Sequence, residues 1–511
     1  MLRDLLLPLL LLTCAGSPAH ASEASDDAPR PNLILFLVDD LGWRDHGLPE
    51  REGFGPNEGA GQERFHTPHL ERLAERGLVF TDGYASAPVC TPTRTSIQTG
   101  MSPGQSHITY WTQYAGRDTS RKHPRLAPPA WRTDGLDADE VTLAKLLRDA
   151  GYRTIHVGKA HFGAKGSACE DPTAVGFVRN VAGHAAGAPG SFLSEHAFTA
   201  SGRQGRQQHE PSYWDVPGLE AYHDSGTYLT EALAREAVSE IDEAVAAGEP
   251  FFLNFAPYAV HTPIMANPAL LDERYAGLDP QEAAYATMIE SVDDALGAIV
   301  AKLDELGIAD ETALFYTSDN GGLSAHARGR MPDDTGRHHH NAPLLSGKGS
   351  AYEGGIRVPW VVRWPGMEEE LVGAISNQVI VSHDLFPTFL NLAGVKMPEE
   401  HAPKVEGMDI PGLIDQADLR GAPVARLVPW HQPHQWGANG PGIEPFTAVR
   451  HGAFKLILFH DGPRYELYDL ARDPGEARDL FASRNHFGWR RALALATTAW
   501  ALGREVQPSR S

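Results

Sequence analysis

Cysteine is scarce in this sequence, which contains only Cys14, Cys90 and Cys169 among its 511 residues. Exported proteins that depend on disulfides carry many more cysteines, so the sequence excludes a disulfide framework. Cys14 lies in an N-terminal apolar segment, which leaves two cysteines for the rest of the chain. A single bridge between Cys90 and Cys169 is the alternative that these numbers allow, and it would occupy the thiol of Cys90.

Basic residues are also in short supply, with 44 lysines and arginines against 66 acidic residues and a formal net charge of -22. Proteins that bind nucleic acid need a basic surface to neutralise phosphates, so we expect no nucleic-acid partner. The same negative field slows the approach of a polyanionic substrate, unless a local basic pocket attracts it. An enzyme that acts on anions would therefore need its positive charge concentrated at one site.

Long hydrophobic runs are missing apart from one near the N-terminus. Residues 5–12 are almost entirely apolar, and the small residues at 19–21 suit signal-peptidase cleavage. We therefore predict a signal peptide over residues 1–21 and export to a periplasm or to the outside of the cell. Lipoprotein anchoring through Cys14 is the less favoured alternative, because Thr13 fits poorly before a lipidated cysteine. No other run is long enough to span a bilayer, so we expect no transmembrane segment.

The rest of the chain has the composition of an ordinary globular protein, with 42% hydrophobic and 22% charged residues. Its length exceeds what one hydrophobic core supports, so we predict two domains, 22–420 and 421–511. In the first, strands alternate with helices, which predicts an α/β fold with a doubly wound, mostly parallel sheet and helices on both faces. In the second, alternating strands predict a smaller α+β domain with an antiparallel sheet and a terminal helix near 489–502.

Oxygen-bearing side chains follow two of the predicted buried strands: Asp39 and Asp40 after the first, and Asp319 with Asn320 after a later one. Open α/β sheets place their sites at the carboxyl ends of strands, although aspartates also cap loops and helices there. An all-oxygen set suits a hard cation rather than one that prefers thiolate and imidazole. We predict Ca²⁺, whose loose geometry tolerates ligands from distant segments, with Mg²⁺ as the alternative.

Five basic side chains lie in segments that follow or precede these strands. They are Arg94, Lys159, His161, His261 and Lys348. Each one alone is more often a solvated loop residue than a catalyst, so only their joint placement favours a site. A divalent ion together with several cationic donors would stabilise the shifting charge of an oxyanion ester, and would make one pocket positive within an acidic protein.

A short motif around the second cysteine is the most specific feature of the chain. Cys90 is followed by Pro92, Arg94, Thr99 and Gly100 in the pattern C-x-P-x-R-x-x-x-x-T-G. Proline near the start predicts a helix whose N-terminus offers free N–H groups and a positive dipole to an anion. Arg94 lies about one turn into that helix, within reach of Cys90. A buried structural cysteine is the alternative at this position.

This pattern resembles the signature of the formylglycine-dependent (type I) sulfatases of the alkaline-phosphatase-like superfamily. The resemblance extends from about residue 31 to residue 480, and its other matching segments are 39–40, 158–161, 261–263, 318–321, 347–349, 352–359, 466–470 and 473–476. Ala160 stands where many relatives carry an aromatic side chain, which affects the expected shape of the substrate subsite. The resemblance implies a sulfuric ester hydrolase whose cysteine is oxidised to formylglycine (3-oxoalanine) by a formylglycine-generating enzyme.

The resemblance also implies roles for the residues described above. The implied metal ligands are Asp39, Asp40, Asp319, Asn320 and the modified Cys90. The implied catalytic residues are Cys90, Arg94, Lys159, His161, His261 and Lys348. Among these, Arg94 and Lys159 fix the nucleophile, and His161 assists the release of sulfate. His261 and Lys348 act at the leaving oxygen.

Three other functions stay open on the sequence alone. A formylglycine-dependent phosphonate monoester or phosphodiester hydrolase would share the fold and the aldehyde. A catalytically inactive glycan-binding protein would share only the fold. A two-zinc phosphatase is less favoured, since it would carry serine or threonine at position 90 and more histidine ligands.

The expected substrate is a small-molecule or oligosaccharide sulfate ester, with a galactose-type sugar as the first candidate. Two segments rich in histidine and tryptophan, 337–340 and 430–436, lead to that expectation because aromatic faces and polar donors suit a sugar. The residues that we select for substrate binding are His338, His339, His340 and Trp436. For the three histidines, an exposed loop without a function is the alternative.

Overall fold

A computed structural model of the chain describes residues 30–48, 65–204, 211–324, 328–329, 338–416, 419, 423–438, 440–462, 464–483 and separate positions between 488 and 509. Several sequence-based predictions lie outside these residues. They are the signal peptide over 1–21 with Cys14, the domain boundary between 420 and 421, residue 337 of the histidine-rich segment, and much of the terminal helix near 489–502.

An eight-stranded sheet lies at the centre of the fold, and a four-stranded sheet follows in the C-terminal region. In chain order the strands are β1 (Asn32–Val38), β2 (Leu78–Phe80), β3 (Gly83–Tyr84), β4 (Arg153–Gly158), β5 (Arg179–Val181), β6 (Phe251–Ala256), β7 (Thr312–Ser318), β8 (Trp360–Arg363), β9 (Ile375–Ser376), β10 (Ile380–Val381), β11 (Leu427–Gln432), β12 (Phe446–His451), β13 (Phe454–Phe459) and β14 (Arg464–Asp469). The central order is β5-β4-β6-β1-β7-β8-β2-β9, with β8 antiparallel to both neighbours and the other pairings parallel. The predicted mostly parallel sheet is therefore confirmed.

Helices lie in the connections between these strands. They are α1 (Pro68–Glu75), α2 (Cys90–Thr99), α3 (Pro103–Ser106), α4 (Leu143–Asp149), α5 (Ala200–Arg203), α6 (Leu229–Ala247), α7 (Pro280–Glu305), α8 (Glu353–Ile356), α9 (Leu385–Leu392) and α10 (Ile410–Asp415). Short 3-10 turns occur at Ala168–Glu170, Pro172–Val175, Ser194–His196, Glu220–Tyr222, Glu273–Tyr275, Ala309–Glu311, Glu369–Leu371, Ser382–Asp384 and Ala402–Lys404. None of the described helices combines the length and the apolar character that crossing a bilayer requires.

The central strand β1 is apolar at every position after Asn32, and all of its residues are buried. A strand covered on both faces has this continuous pattern. Alternate side chains of β1 enter two different cores: Leu35 packs in the core that includes α4 and α9, and Phe36 packs in the core that includes α6 and α7. Helices therefore cover both faces of the sheet, as predicted for a doubly wound fold.

The C-terminal sheet is an antiparallel meander of β11, β12, β13 and β14. It corrects one expectation, because Trp430 belongs to β11 and not to a sugar-binding loop. Trp430 is 0% exposed, and its Nε1 donates to the carbonyl of Ala85 at 2.8 Å. Pro429 hid this strand from the sequence pattern, since proline is tolerated only in an edge strand such as β11.

A buried group of charged side chains joins the C-terminal sheet to the main body, and we call it the junction cluster. Its members are the acids Asp82, Glu353 and Glu476 and the bases Arg357, Arg450 and Lys455. Lys455 Nζ donates to Glu353 Oε1 and to Glu476 Oε1, at 2.9 Å each. Arg450 Nη2 lies 2.8 Å from Asp82 Oδ1. Ion pairs therefore fix both β12 and β13 to the main body.

Candidate active site

The carboxyl ends of β1 and β7 bring the predicted oxygen ligands together. These two strands pair in parallel up to their last residues, so the residues that follow them lie side by side. Carboxylate oxygens of Asp39, Asp40 and Asp319 all lie within 4.8 Å of one another, and all three residues are 0% exposed. This buried cluster could bind a metal ion. Within the described chain, Cys90 Sγ is not part of the same cluster.

Arg94 and Lys159 neutralise two of these carboxylates. Lys159 Nζ donates to both oxygens of Asp39, at 2.7 and 2.8 Å. Arg94 Nε donates to Asp319 Oδ2 at 2.8 Å, and its Nη1 donates to the carbonyl of Lys159 at 2.6 Å. Burial alone would lower the pKa of Arg94, but Asp319 and then Asp39 raise it. The guanidinium therefore keeps its charge and locks the two strand ends together.

Lys348 neutralises the third carboxylate, with its Nζ donating to Asp40 Oδ1 at 2.6 Å. Burial alone would lower the pKa of Lys348, but Asp40 raises it. Burial would likewise raise the pKa of Asp40, whereas Lys348 and then His261 hold it below its usual value. The ammonium of Lys348 also lies 5.6 Å from the centre of the Trp436 ring, so a C-terminal side chain reaches this site.

Two oxygen atoms of the group accept no hydrogen bond although both are buried. They are Oδ2 of Asp40 and Oδ1 of Asn320. Asn320 Nδ2 donates to Asp40 Oδ1 at 2.8 Å and to the carbonyl of Gly321 at 3.0 Å. Both N–H groups of the amide are therefore used, and its oxygen is left without a hydrogen-bond partner. Buried oxygens without donors are rare in folded proteins. An oxygen-only set that includes two of them fits a hard divalent cation.

Cys90 is the first residue of α2, which follows the extended residue Val89 and ends where Gly100 adopts a left-handed φ of 70°. All residues of α2 are buried, and no side chain caps its N-terminus. The first N–H groups and the positive end of the helix dipole therefore stay available beside Cys90. The thiols of Cys90 and Cys169 are both free.

The two predicted catalytic histidines have well-defined backbone partners. His161 has a left-handed backbone with φ of 56°, and its Nε2 donates to the carbonyl of Thr112 at 2.9 Å. Gly187 lies so close to this imidazole that an added Cβ would be 2.5 Å from the ring. His261 Nδ1 lies 2.9 Å from the carbonyl of Thr262. Burial lowers the pKa of His261 to about 3 and lowers that of His161 well below its usual value.

A cavity of about 570 Å³ lies at this group. The predicted site residues that line it are Asp40, Cys90, His161, His261, Lys348 and Trp436. The predicted residues buried behind its wall are Asp39, Arg94, Lys159, Asp319 and Asn320. As far as the chain is described, the wall contains none of His338, His339 and His340; His340 is buried and His339 is exposed.

Other parts of the cavity wall come from residues that the sequence analysis did not select. They include Trp111, Arg203 and Trp214. None of them follows a buried strand or belongs to a matched motif, so periodicity gave no reason to choose them. The neighbouring aromatic residues Tyr213 and Trp214, inside an otherwise polar insertion, are the signal that could have indicated this part of the wall.

Comparisons with known proteins agree with this geometry. The family model described as "Sulfatase" matches residues 31–395, and the model "N-sulphoglucosamine sulphohydrolase, C-terminal" matches residues 346–495. The chain is similar to N-acetylgalactosamine-6-sulfatase of Sus scrofa, with 30% identity over 95% of this chain and 88% of the relative. It is also similar to steryl-sulfatase of Mus musculus, with 29% identity over 93% of this chain and 83% of the relative.

Among solved structures, the crystal structure of Ps i-CgsB is similar along 93% of both chains, with a TM-score of 0.70 and 25% identity. The first family model covers every residue discussed above as a metal ligand or a catalytic residue, from Asp39 to Lys348. The family predicted from the Cys90 motif is confirmed by these matches. The chain belongs to the sulfatase family and is a sulfuric ester hydrolase with the alkaline-phosphatase-like fold.

Proposed function

We propose that this sulfatase hydrolyses the sulfate ester of a carbohydrate, with a formylglycine made from Cys90 as its nucleophile and Ca²⁺ as its metal. The observation that carries the proposal is one shared cavity. Cys90 lines it together with Lys348 and His261, and the carboxylate group of Asp40 reaches the same space. A nucleophile, a metal-binding carboxylate, a lysine ammonium and an imidazole therefore meet where a substrate can enter.

Residue 90 lies where an anionic substrate is favoured. The uncapped N-terminus of α2 and the guanidinium of Arg94 make this part of the cavity positive. Oxidised to formylglycine, residue 90 would supply a hydrated aldehyde as the nucleophile. His161 donates from Nε2 to a carbonyl, so its buried Nδ1, which has no hydrogen-bond partner, is the atom that can accept a proton.

The residues that would hold the metal are Asp39, Asp40, Asp319, Asn320 and the modified residue 90. A divalent cation at this place supplies positive charge for the sulfate oxygens during the reaction. Ca²⁺ suits a set of ligands that comes from two separate strand ends, and Mg²⁺ is the alternative. Lys159 and Arg94 contribute by holding two of the carboxylates in fixed positions.

Lys348 and His261 are the candidates to contact the leaving oxygen of the substrate. Both line the cavity, and His261 Nε2 lies 3.6 Å from Asp40 Oδ2, the oxygen without a donor. A sugar alkoxide is a poor leaving group, so proton donation to it is worth roughly 10² to 10⁴ in rate. The ion pair with Asp40 holds the Lys348 ammonium at the cavity wall, from which it can donate to that oxygen.

A carbohydrate is the substrate class that the cavity wall supports best. Trp111, Trp214 and Trp436 line it, and flat aromatic faces pack well against the apolar faces of sugar rings. The name of the pig relative, an N-acetylgalactosamine-6-sulfatase, favours a galactose-type sugar. Because the mouse relative is a steryl-sulfatase, a sterol sulfate is the comparison substrate in the test.

Release of sulfate by the purified protein tests this proposal. The wild type should release sulfate from at least one member of a panel of sulfated saccharides, and faster than from the sterol sulfate. Cys90→Ala should release none, whereas Cys169→Ala, which removes the other buried free thiol, should keep the activity. A mass spectrum of the peptide that contains residue 90 should show formylglycine. Sulfate release by Cys90→Ala at a rate near the wild type would contradict the proposal.

The rival functions give different results in the same assays. A phosphonate monoester or phosphodiester hydrolase would turn over a phosphodiester faster than a sulfate ester with the same leaving group. An inactive glycan-binding protein would contain unmodified Cys90 and bind saccharides without releasing sulfate. Treatment with a chelator should abolish sulfate release by the proposed enzyme, and Ca²⁺ should restore it better than Mg²⁺.

We also propose that the protein is exported to a periplasm or secreted, and that a formylglycine-generating enzyme acts on Cys90 during maturation. The apolar segment 5–12 and the small residues at 19–21 support export. The mature protein should begin at residue 22 when its N-terminus is sequenced. A lipid attached to Cys14 would contradict this cleavage site.

A further inference from the structure

One part of the cavity wall is built by a segment that carries none of the predicted catalytic residues. We call this segment the rim lobe and define it as residues 183–203 and 211–216. Its members at the cavity are Gly187, Ala188, Pro189, Gly190, Ala200, Arg203 and Trp214. The rim lobe therefore contributes to what the cavity can hold, and it touches the proposed catalytic residues where Gly187 and the carbonyl of His184 contact His161.

Close contacts give the rim lobe a defined structure. Gly190 lies against the backbone of α5, so that an added Cβ would be 2.2 Å from the nitrogen of Ala200. The same Ala200 N–H donates to Asp215 Oδ1 at 3.1 Å. The hydroxyl of Tyr213 donates to the carbonyl of Ala185 at 2.8 Å. Arg203 is the last residue of α5. The contacts of Ala200 with Gly190 and Asp215 therefore hold the helix that carries Arg203 in a defined position.

Arg203 is a cation without a counter-ion among the described residues. It is exposed, lines the cavity and forms no ion pair there. Asp215 uses its two oxygens for the N–H groups of Ala200 and Ser212. Asp40 is the acidic side chain among the described lining residues, and Lys348 is bound to it. The guanidinium of Arg203 is therefore available to a ligand.

The cavity is larger than one sulfate group needs. Its volume of about 570 Å³ falls in the range of roughly 300 to 1,000 Å³ that is typical of sites for drug-sized ligands. Trp111, Trp214 and Trp436 supply aromatic faces for more of the substrate than the reacting ester. Arg203 lies in the same wall and is a positive side chain that the rest of the substrate can meet.

We propose that Arg203 binds a second anionic group of the substrate, a carboxylate or a second sulfate, and so selects acidic oligosaccharides. This inference rests on the proposed function and narrows its substrate class. A guanidinium binds such oxyanions through paired N–H donors. In a protein of net charge -22, an arginine of the cavity wall that forms no ion pair with the residues the structure describes also offsets the repulsion of an acidic substrate.

The test compares two disaccharides that carry the same sulfated sugar, one joined to a uronic acid and one to its neutral counterpart. The measured quantity is the ratio of kcat/KM for the acidic substrate to that for the neutral one. Arg203→Ala should lower this ratio about tenfold, mainly through the KM of the acidic substrate. Arg203→Lys should keep part of the ratio, because it keeps the charge but loses the paired donors.

Arg235→Ala is the matched control, since Arg235 is an exposed arginine of α6 that pairs with Glu231 and does not line the cavity. It should leave the ratio at the wild-type value. A third disaccharide with a second sulfate in place of the carboxylate shows which of the two anions Arg203 prefers. Added salt should lower the ratio of the wild type more than that of Arg203→Ala, because salt screens this exposed charge.

An unchanged ratio in Arg203→Ala, while sulfate release continues, would overturn the inference and leave the proposed function standing. An equal loss on the acidic and the neutral substrate would also overturn it, because recognition of an anion predicts a selective loss. If the wild type releases no sulfate from any saccharide although residue 90 is formylglycine, the proposed function and the inference both fall.

Discussion

The active-site cluster and the junction cluster each bury three carboxylates beside three basic side chains. The active-site cluster consists of Asp39, Asp40 and Asp319 with Arg94, Lys159 and Lys348. The junction cluster, defined above, has the same number of charges of each sign. Both follow the rule that buried charges are tolerated when they are paired and hydrogen-bonded. Charge and burial alone therefore do not separate a catalytic centre from a structural ion network.

Hydrogen bonding separates them. In the junction cluster, Glu353 accepts from Lys455 and from the hydroxyl of Tyr84, at 2.9 and 2.6 Å. Glu476 accepts from Lys455 and from the backbone N–H of Glu353, at 2.9 and 2.7 Å. Both oxygens of Asp82 also have partners. Every carboxylate oxygen of the junction cluster thus has a partner, and its buried nitrogens without a hydrogen bond, Nη1 and Nη2 of Arg357, belong to a cation and could not bind a metal ion.

The active-site cluster leaves Oδ2 of Asp40 without a donor, and so does the neighbouring Asn320 at its Oδ1. The cluster also borders a cavity through Asp40 and Lys348. The two clusters are also close along the chain, because Lys348 precedes Glu353 by a few residues. The backbone N–H of Lys348 donates to the carbonyl of Gly322 at 3.0 Å, which fixes the backbone at Lys348 to the segment that follows β7. Unsatisfied buried oxygens beside open space, rather than buried charge, therefore distinguish the candidate active site.

The largest test of this comparison replaces one buried lysine in each cluster by a residue of similar shape. Lys348→Met should lower kcat/KM for a saccharide sulfate by roughly 10² to 10⁴, since it removes the proposed proton donor at the leaving oxygen. Lys455→Met should instead lower the free energy of unfolding by about 3 to 5 kcal/mol, because Glu353 and Glu476 lose their shared cation. Sulfate release and urea unfolding, measured on both variants, check this.

The control is Lys302→Met on α7, whose lysine pairs with exposed acids on the surface and should affect neither quantity. Adding Glu476→Gln to Lys455→Met should restore part of the lost stability, since it removes one uncompensated carboxylate. The distinction between the clusters would be wrong if folded Lys455→Met lost as much activity as Lys348→Met.

A smaller effect is expected from pH at the junction cluster. Burial, and to a lesser degree Glu353, raises the pKa of Glu476 to about 7 against the lowering effect of Lys455. Between the usual carboxyl pKa and about 7, the folded protein binds a proton that the unfolded chain lacks, so the free energy of unfolding falls as pH rises through this window. In the wild type this fall amounts to at most about 3 kcal/mol, and Glu476→Gln should abolish it.

Urea unfolding at several values between about pH 5 and about pH 8 measures this slope. Glu273→Gln, in an exposed 3-10 turn, is the matched control and should keep the slope of the wild type. A variant Glu476→Gln that loses stability with pH as steeply as the wild type would contradict the assignment.

The smallest predicted effect concerns Trp436, where the C-terminal region meets the active-site cluster. Its indole packs on Gly349, where an added Cβ would be 2.0 Å from the ring, and it faces the ammonium of Lys348. Trp436→Phe should lower kcat/KM about two- to fivefold, because a partly exposed cation–π contact is worth about 0.5 to 1 kcal/mol. Trp131→Phe, outside this cavity, should change it less. A larger loss of kcat/KM in Trp131→Phe than in Trp436→Phe would contradict a role of the Trp436 ring beside Lys348.

Much of the fold and the centre of the site could be predicted from the sequence. The apolar run of β1 indicates a strand buried on both faces, and the acids that follow it lie where parallel strands end. Asp39 and Asp319 are far apart in the chain but adjacent in space for this reason. Motif spacing also pointed to Cys90 and Arg94, since a helix brings residues one turn apart to the same side.

The cavity wall and the junction cluster could not be predicted in this way. Trp111 lies in an irregular connection and Arg203 in the four-residue helix α5, and no periodicity tells which such segment folds over a site. Glu353 and Glu476 stand in segments that resemble the family, but a buried charge and a solvated one look the same in a sequence. Their role follows only from the tertiary contacts with Lys455.

The packing of α5 on Gly190 has a consequence for how such enzymes can diverge. The rim lobe is an insertion between β5 and α6, and its contacts with itself, such as that of Gly190 with Ala200, do not involve the pairing of the central strands. Gly187 and the carbonyl of His184 contact His161 and would have to stay. Lengthening or exchanging the part of the insertion that follows them would leave every strand in register and every proposed ligand oxygen in place. New preferences for sugars could thus arise by changes in one insertion while the proposed catalytic residues stay the same.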